Sequence, residues 1–413
     1  MEVRPIFSAL LRNKTAPLLV ALQIGISLAI LANALYVVQL RQALTQRPSG
    51  VAEESTVIHL GTRQIRKGTH NEILAQQQRE RDALRAVPGV LAVAWTNQMP
   101  MSRSGSSQSI NASRTQTRES ANVSTYQSPD ALVKTLGLKL VEGRDFTAQD
   151  VTEIDADNDD GRTNYPSVVI VTQALAKLMF PDSASVIGKP VYFGMGDNAL
   201  EARIVGVVEH LQTTSAGAGP NAEYSAISPV RRSRPFSRWA IRVAPGQRDR
   251  VLAEAETVLR KISPGPVEVF GRTVEGDRER RYRNEKALAW MLIAVSGLLL
   301  LVTTSGIVGM TALRVTQRRK QIGVRRALGG RKIDIMRYFM TENVMISTFG
   351  IASGCALGLA LNHLLVSHLE LTRLPAVYLV AGALGMWGLG AVTILGPVIR
   401  AAGIPPATAT RAA

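Results

Sequence analysis

Four stretches of this sequence stay apolar over a length that a bilayer demands and a water-soluble core does not. A helix rises about 1.5 Å per residue, so roughly 20 residues cross a hydrocarbon layer about 30 Å thick. The stretches occupy residues 16–40, 287–313, 343–366 and 375–399, and none contains Asp, Glu, Lys or Arg. Inside hydrocarbon each backbone polar group must pair within its own segment, so each stretch is expected to be a transmembrane helix. The first exceeds the roughly 7–15 residue core of a signal peptide and no clear small-x-small site follows it, so it is expected to remain as an anchor. Residues 41–286, between the first two stretches, have ordinary soluble composition.

The position of charge predicts sidedness. A formal net charge of +16 would by itself suit nucleic acid or an anionic membrane. Between Arg314 and Arg337, however, nine Lys/Arg stand against the single Asp334, pinned between the second and third apolar stretches. That placement speaks for membrane topology and against nucleic acid. Arg4, Arg12 and Lys14 precede the first stretch. Basic residues near span ends stay in the cytoplasm, so residues 1–15, 314–342 and 400–413 are expected inside. Residues 41–286 and the short loop 367–374 are then outside. "DRERRYRNEK", Asp277 to Lys286, carries a net +2 on that outer side, and its mixed signs suit a helical stalk entering the second span.

Within 41–286 helical and strand patterns alternate, which predicts an α/β or α+β domain inserted between the first two of four transmembrane helices. "NEILAQQQRERDALRAVPGV" reads as an amphipathic helix with Ile73, Leu74, Leu84 and Val87 inward. "VLAVAWTN", "ARIVGVVEH" and "SRWAIRVAP" read as strands, and "SVVIVTQALAKLMF" as a strand followed by a helix. "SPDALVKTLG" predicts a helix ending near Gly137 and "QRDRVLAEAETVLRKI" a further one. The Ser-rich "MSRSGSSQSINASRTQTRES" is expected to be a loop.

Chemistry-bearing patterns are sparse. "GMGDNA", Gly194 to Ala199, fits G-x-G-x-x-A but precedes a strand, not the helix whose N-terminus would hold a pyrophosphate, so it reads as a turn. "DADNDDG" spaces Asp155, Asp157 and Asp159 as calcium ligands. Asp160 and Pro166 occupy the positions that need glycine and glutamate, so it reads as a solvated acidic loop. His59, His70, His210, His363 and His368 show no metal-ligand spacing, and the lone Cys355 reads as a small buried thiol. No phosphate loop, nucleophile elbow or S-x-x-K pair occurs. No catalytic, metal-binding or cofactor-binding residue is therefore assigned, and the chain is not expected to be an enzyme.

In the third span Gly350, Gly354 and Gly358 fall on one helix face, where a second helix can approach closely. Asn362 and His363 near its outer end read as interfacial. "QRRKQIGVRRALGG", Gln317 to Gly330, carries five basic residues and no acidic one. On a helix, Arg318, Arg319, Ile322, Arg325 and Arg326 share a face, with Val324, Ala327 and Leu328 opposite. Gly329-Gly330 would end that helix, and "RKIDIMRYFMTEN" starts another that feeds the third span. Charge alone allows this element to lie on anionic lipid.

The order of residues says more. This loop closely resembles the signature of the FtsX-like permeases of the ABC superfamily (type VII ABC transporters), through Arg318, Ile322, Gly323, Val324, Arg325, Arg326, Ala327, Leu328, Gly329 and Glu342. Gln317 and Gln321 stand where that family carries glutamates. "GPVIRAAGIPP" resembles the family ending through Pro397, Arg400, Ala401, Ala402, Ile404 and Pro406. "GLKLVEGRDFT", "VVIVTQALAKLMFPDSASVIGKPV" and "ARIVGVVEH" resemble the MacB-type periplasmic domain, with His210 where that domain has Asp.

The resemblance implies a non-catalytic permease of the bacterial inner membrane. Two copies of a separate ATPase would bind ATP and Mg, and a second identical or related permease would complete the assembly, with a periplasmic adaptor as a further partner. ATPase closure would push residues 318–329, with Ile322 as an apolar knob among arginines, and the stalk would carry the motion to the outer domain. Efflux or envelope export is the implied task. Lipoprotein extraction, a cell-division role and a receptor with an external sensing domain are the alternatives.

Overall fold

A computed structural model describes residues 15–403 apart from 66–67, 117, 156–157, 159–163, 235 and 370–372. Arg4, Arg12, Lys14, Asp157, Asp159, Asp160, Ile404 and Pro406 lie outside the described residues, as do the side chains of Arg325, Arg326 and Ala401. The chain divides into two compact units, one of residues 46–283 and one of residues 1–45 with 284–413.

In the first unit, β1 (Val57–Gln64) lies between β12 (Phe236–Val243) and β13 (Val267–Thr273), and β12 also pairs with β2 (Val90–Trp95). A second sheet contains β3 (Ser107–Asn111), β4 (Ala121–Gln127), β5 (Leu140–Gly143), β7 (Val168–Thr172), β8 (Pro190–Phe193), β9 (Leu200–Val208) and β10 (Ser225–Ser228). Because β8 pairs with both β3 and β9, six of these strands close into a ring, with β5 continuing along β9 beyond β8. β6 (Thr152–Ile154) and β11 (Val230–Arg232) form a separate parallel pair. One apolar core lies between the two sheets around Val57, Ala240, Tyr126 and Ile227; it includes Leu132 and Leu136 of α3 (Leu132–Leu136). Another fills the ring around Ile110, Val169, Phe193 and Ile204 with Leu175 of α4 (Gln173–Met179). On the outer face of the four-stranded sheet, α2 (His70–Arg85) and α5 (Arg248–Ile262) bury Leu84, Val251 and Leu259 against Trp95 and Trp239.

Two local expectations need correction. The inward face of α2 is Gln76, Gln77, Glu80 and Leu84, whereas Ile73 and Leu74 are half-buried. The reason is a satisfied polar contact: buried Glu80 accepts from Trp239 Nε1 (2.9 Å), Thr62 Oγ1 (3.1 Å) and Gln76 Nε2 (3.1 Å), which removes the penalty on a buried polar face. The Ser-rich stretch holds β3, whose backbone pairs on both sides even though only Ile110 among its residues is apolar.

The second unit is helical: α1 (Thr15–Gln46), α6 (Val274–Gln317, which begins in the first unit), α7 (Arg319–Ala327), α8 (Lys332–Leu369) and α9 (Ala376–Ala402). Among the described residues α1, α6, α8 and α9 are long and apolar enough to cross a membrane. Over its most apolar window α1 is 61% buried and α6 17%, so α1 is the central helix. Its Val20, Ile24 and Leu28 share a core with Ile307, Ile346, Ile351 and Met386. Across the helices, Ser27 Oγ and Thr303 Oγ1 are 2.7 Å apart and Asn33 Nδ2 donates to Gly358 O (3.1 Å). A Cβ at Gly350 would stand 2.7 Å from Ala21 O, one at Gly354 2.8 Å from Gly25 O, and one at Gly358 3.2 Å from a Leu379 methyl. Cys355, expected to be buried, is half-buried against the apolar clusters around Ile24 and Tyr36. Asn362 is buried and accepts from Leu374 N (3.0 Å), which caps the connection before α9.

Candidate functional site

The basic connection between α6 and α8 is held by short-range backbone bonds at both of its bends. Arg318 N donates to Arg314 O (3.0 Å) and Ile322 N to Arg318 O (2.9 Å), which carries the chain from α6 into α7. Leu328 N donates to Val324 O (3.1 Å), and Gly329 then takes φ 90°, a left-handed conformation that glycine adopts without strain. Asp334 Oδ2 accepts from Arg331 N (3.3 Å) at the start of α8.

Ile322 is 6% exposed and belongs to the core of this unit with Ile335 and Phe339. It is not the projecting knob that the family resemblance implied, because Ile322 turns onto the first turns of α8. Gly323 is buried with it. The exposed apolar residues are instead Leu328, at 83%, and Val324, at 46%. Arg319, Lys320, Gln321 and Ala327 are also exposed. The outward surface therefore joins an apolar tip, Val324 and Leu328, to the exposed cations Arg319 and Lys320.

Behind α7 lies an ionic cluster of which the loop motif by itself shows only Arg318 and Glu342. Glu342, 3% exposed in α8, accepts from Arg314 Nη1 at the end of α6. Arg318 Nη2 stands 3.9 Å from the same carboxylate. The Arg318 guanidinium lies 5.3 Å from the Tyr338 ring centroid and donates to its hydroxyl, and the Tyr338 and Phe339 rings meet edge-on at 5.6 Å. One acidic residue entering an apolar span beside a basic cluster was a readable signal, since a charge there needs a partner.

No group of three or more His, Cys, Asp or Glu suited to a metal occurs among the described residues. In the first unit, His59 Nε2 lies 2.7 Å from Asp277 Oδ2, both buried. Arg280 also reaches Asp277 at 3.3 Å. Burial lowers the His59 pKa below its usual 6.5, although Asp277 pulls it upward. The pair ties β1 to the first turn of α6.

The FtsX-like permease C-terminal family model matches residues 293–406, and the MacB-like periplasmic core domain model matches residues 20–258. The macrolide export ATP-binding/permease protein MacB of Chromobacterium violaceum is 27% identical over 256 residues, 60% of this chain and 37% of its own length. MacB of Agrobacterium fabrum is similar to the same extent, 27% over 256 residues, with 60% and 37% covered. The pyoverdine export ATP-binding/permease protein PvdT of Pseudomonas fluorescens is 34% identical over 131 residues, 31% of this chain and 19% of its own. The chain spans at most 37% of the length of these three relatives.

Proposed function

The chain belongs to the family of MacB-like, FtsX-like permeases, and from that membership we propose that it is the membrane subunit of an ABC exporter driven by a partner ATPase. Its apolar helices and its inserted α/β domain fit an inner-membrane protein with a periplasmic domain. The observation that carries the reading is the tip formed by Val324 and Leu328. Two exposed aliphatic side chains beside Arg319 and Lys320, backed by buried Ile322, make a contact suited to an apolar slot rimmed by acids.

In this reading two ATPase copies hold ATP and Mg and press on that tip from the cytoplasm, and this chain holds no cofactor. A second permease, identical or related, completes the assembly, and a periplasmic adaptor receives what is exported from the envelope. The continuous helix α6, which starts at Val274 in the inserted domain, carries the displacement. This chain then contributes motion and no catalytic residue. The export of macrolides and of pyoverdine named for the relatives makes small envelope solutes the substrate class to test.

Co-expression with candidate ATPases is the test. The parent chain should purify as a detergent-stable complex that hydrolyses ATP, and Val324→Asp with Leu328→Asp should lose both the complex and its hydrolysis. A doubly substituted chain that keeps the complex and its hydrolysis rate sinks the contact.

A further inference from the structure

We propose that Glu342 is the positioning residue of the α6–α7–α8 connection: it binds the end of α6 to the start of α8 through Arg314 and Arg318, so that α6 and α7 move as one piece. This rests on the coupling reading above and names the device that makes such coupling stiff.

Three observations converge on this carboxylate. The first is burial. Glu342 is 3% exposed and the Arg314 side chain 11%, so both charges are largely withdrawn from water and each is partnered by the other. The second is connectivity. Arg314 is in the last turn of α6, Arg318 sits at the break before α7, and Tyr338 and Glu342 belong to the second and third turns of α8, so one acid on α8 reaches both the end of α6 and the break that leads into α7. The third is orientation. Tyr338 holds Arg318 from the side by its ring and its hydroxyl, which leaves that guanidinium little freedom to leave the acid. Below this layer Ile322 packs with Ile335 and Phe339. A buried ion pair contributes little net stability against an apolar replacement of like shape, but it fixes register, because each wrong arrangement leaves an unpaired charge. Apolar packing at Ile322 alone would tolerate a slip between α7 and α8, whereas the arginines on Glu342 do not.

The test uses the full chain without any ATPase, in nanodiscs of phosphatidylethanolamine and phosphatidylglycerol. Cys355→Ala removes the native thiol, and nitroxides at Leu328→Cys and Leu301→Cys report the distance from the α7 tip to α6 by pulsed electron paramagnetic resonance. The parent should give one narrow distance. Glu342→Gln should lose it, and the swap Arg314→Glu with Glu342→Arg should restore it, because the exchanged pair has the same two ends and the exchanged acid stays one turn from Arg318. A narrow distance in Glu342→Gln, or a swap as broad as Glu342→Gln, overturns the proposal. If Glu342→Gln is not recovered folded, the swap decides: folded and narrow supports it, unfolded or broad overturns it. A narrow, clamp-dependent distance alongside an intact Val324→Asp, Leu328→Asp complex would remove the ATPase contact and leave the clamp standing.

Discussion

His59 is 1% exposed beside Asp277, and burial holds its pKa below 6.5 in the folded chain. The charged groups around it are Asp277, Arg238, Arg272 and, through Asp277, Arg280, so a proton on the ring would join a mostly cationic neighbourhood. The unfolded chain takes up that proton near pH 6.5 and the folded one only at lower pH. Stability from this residue is therefore complete above about pH 6.5 and declines as pH falls toward the folded pKa, by up to about 1.4 kcal/mol per pH unit. Thermal unfolding of the full chain in detergent should show this slope, and His59→Gln should flatten it. Glu80 calls for a different measurement. Glu80→Ala leaves the Trp239 indole N–H and the Thr62 hydroxyl buried without their acceptor, and should cost about 3 kcal/mol in denaturant unfolding. Glu80→Gln, which keeps an acceptor oxygen, should cost less.

At the scale of elements, contact geometry separates glycines that look alike in sequence. A Cβ at Gly354 meets Gly25 backbone at 2.8 and 2.9 Å, whereas one at Gly388 meets nothing within 4 Å. Gly354→Ala should destabilise the helical unit by about 1–3 kcal/mol, and Gly388→Ala should be neutral or slightly stabilising; detergent-induced unfolding of the two variants compares them directly. The long helices were legible because an uninterrupted apolar run has one physical solution in a bilayer. The inward face of α2 was not, because Glu80 and Gln77 find partners in Trp239 and the Arg232 carbonyl, about 150 residues further along the chain. β3 was hidden for a related reason, since pairing on both edges overrides a composition typical of loops. For α7 the wheel set Ile322 apart from Val324 and Leu328, as their burial does, but grouped exposed Arg319 with buried Ile322. It could not say which face meets α8, a question settled by Ile335 and Phe339. Arg314 was missed as a functional residue because its partner is 28 positions away.

For the whole molecule, the placement of charge and the inserted domain make a single prediction about sidedness. In intact cells lacking Cys355, Leu91→Cys on the exposed side of β2 should react with a membrane-impermeant maleimide once that reagent has entered the periplasm. Leu328→Cys should react only after the inner membrane is opened. Labelling of Leu328→Cys before that point would invert the topology and with it the proposed ATPase contact. The strand order has a consequence of another kind. β1, the first strand of the inserted unit, pairs with β12 and β13, the last two. In the proposed topology the segment crosses in chain order, so β1 reaches the far side long before its neighbours, and its backbone donors and acceptors stay unpaired until residues 236–273 follow. During that interval the strand is open to pairing with other chains and to proteases. Under the proposed topology, β1 has to be kept from other chains until residues 236–273 arrive, a demand separate from anything the folded protein does.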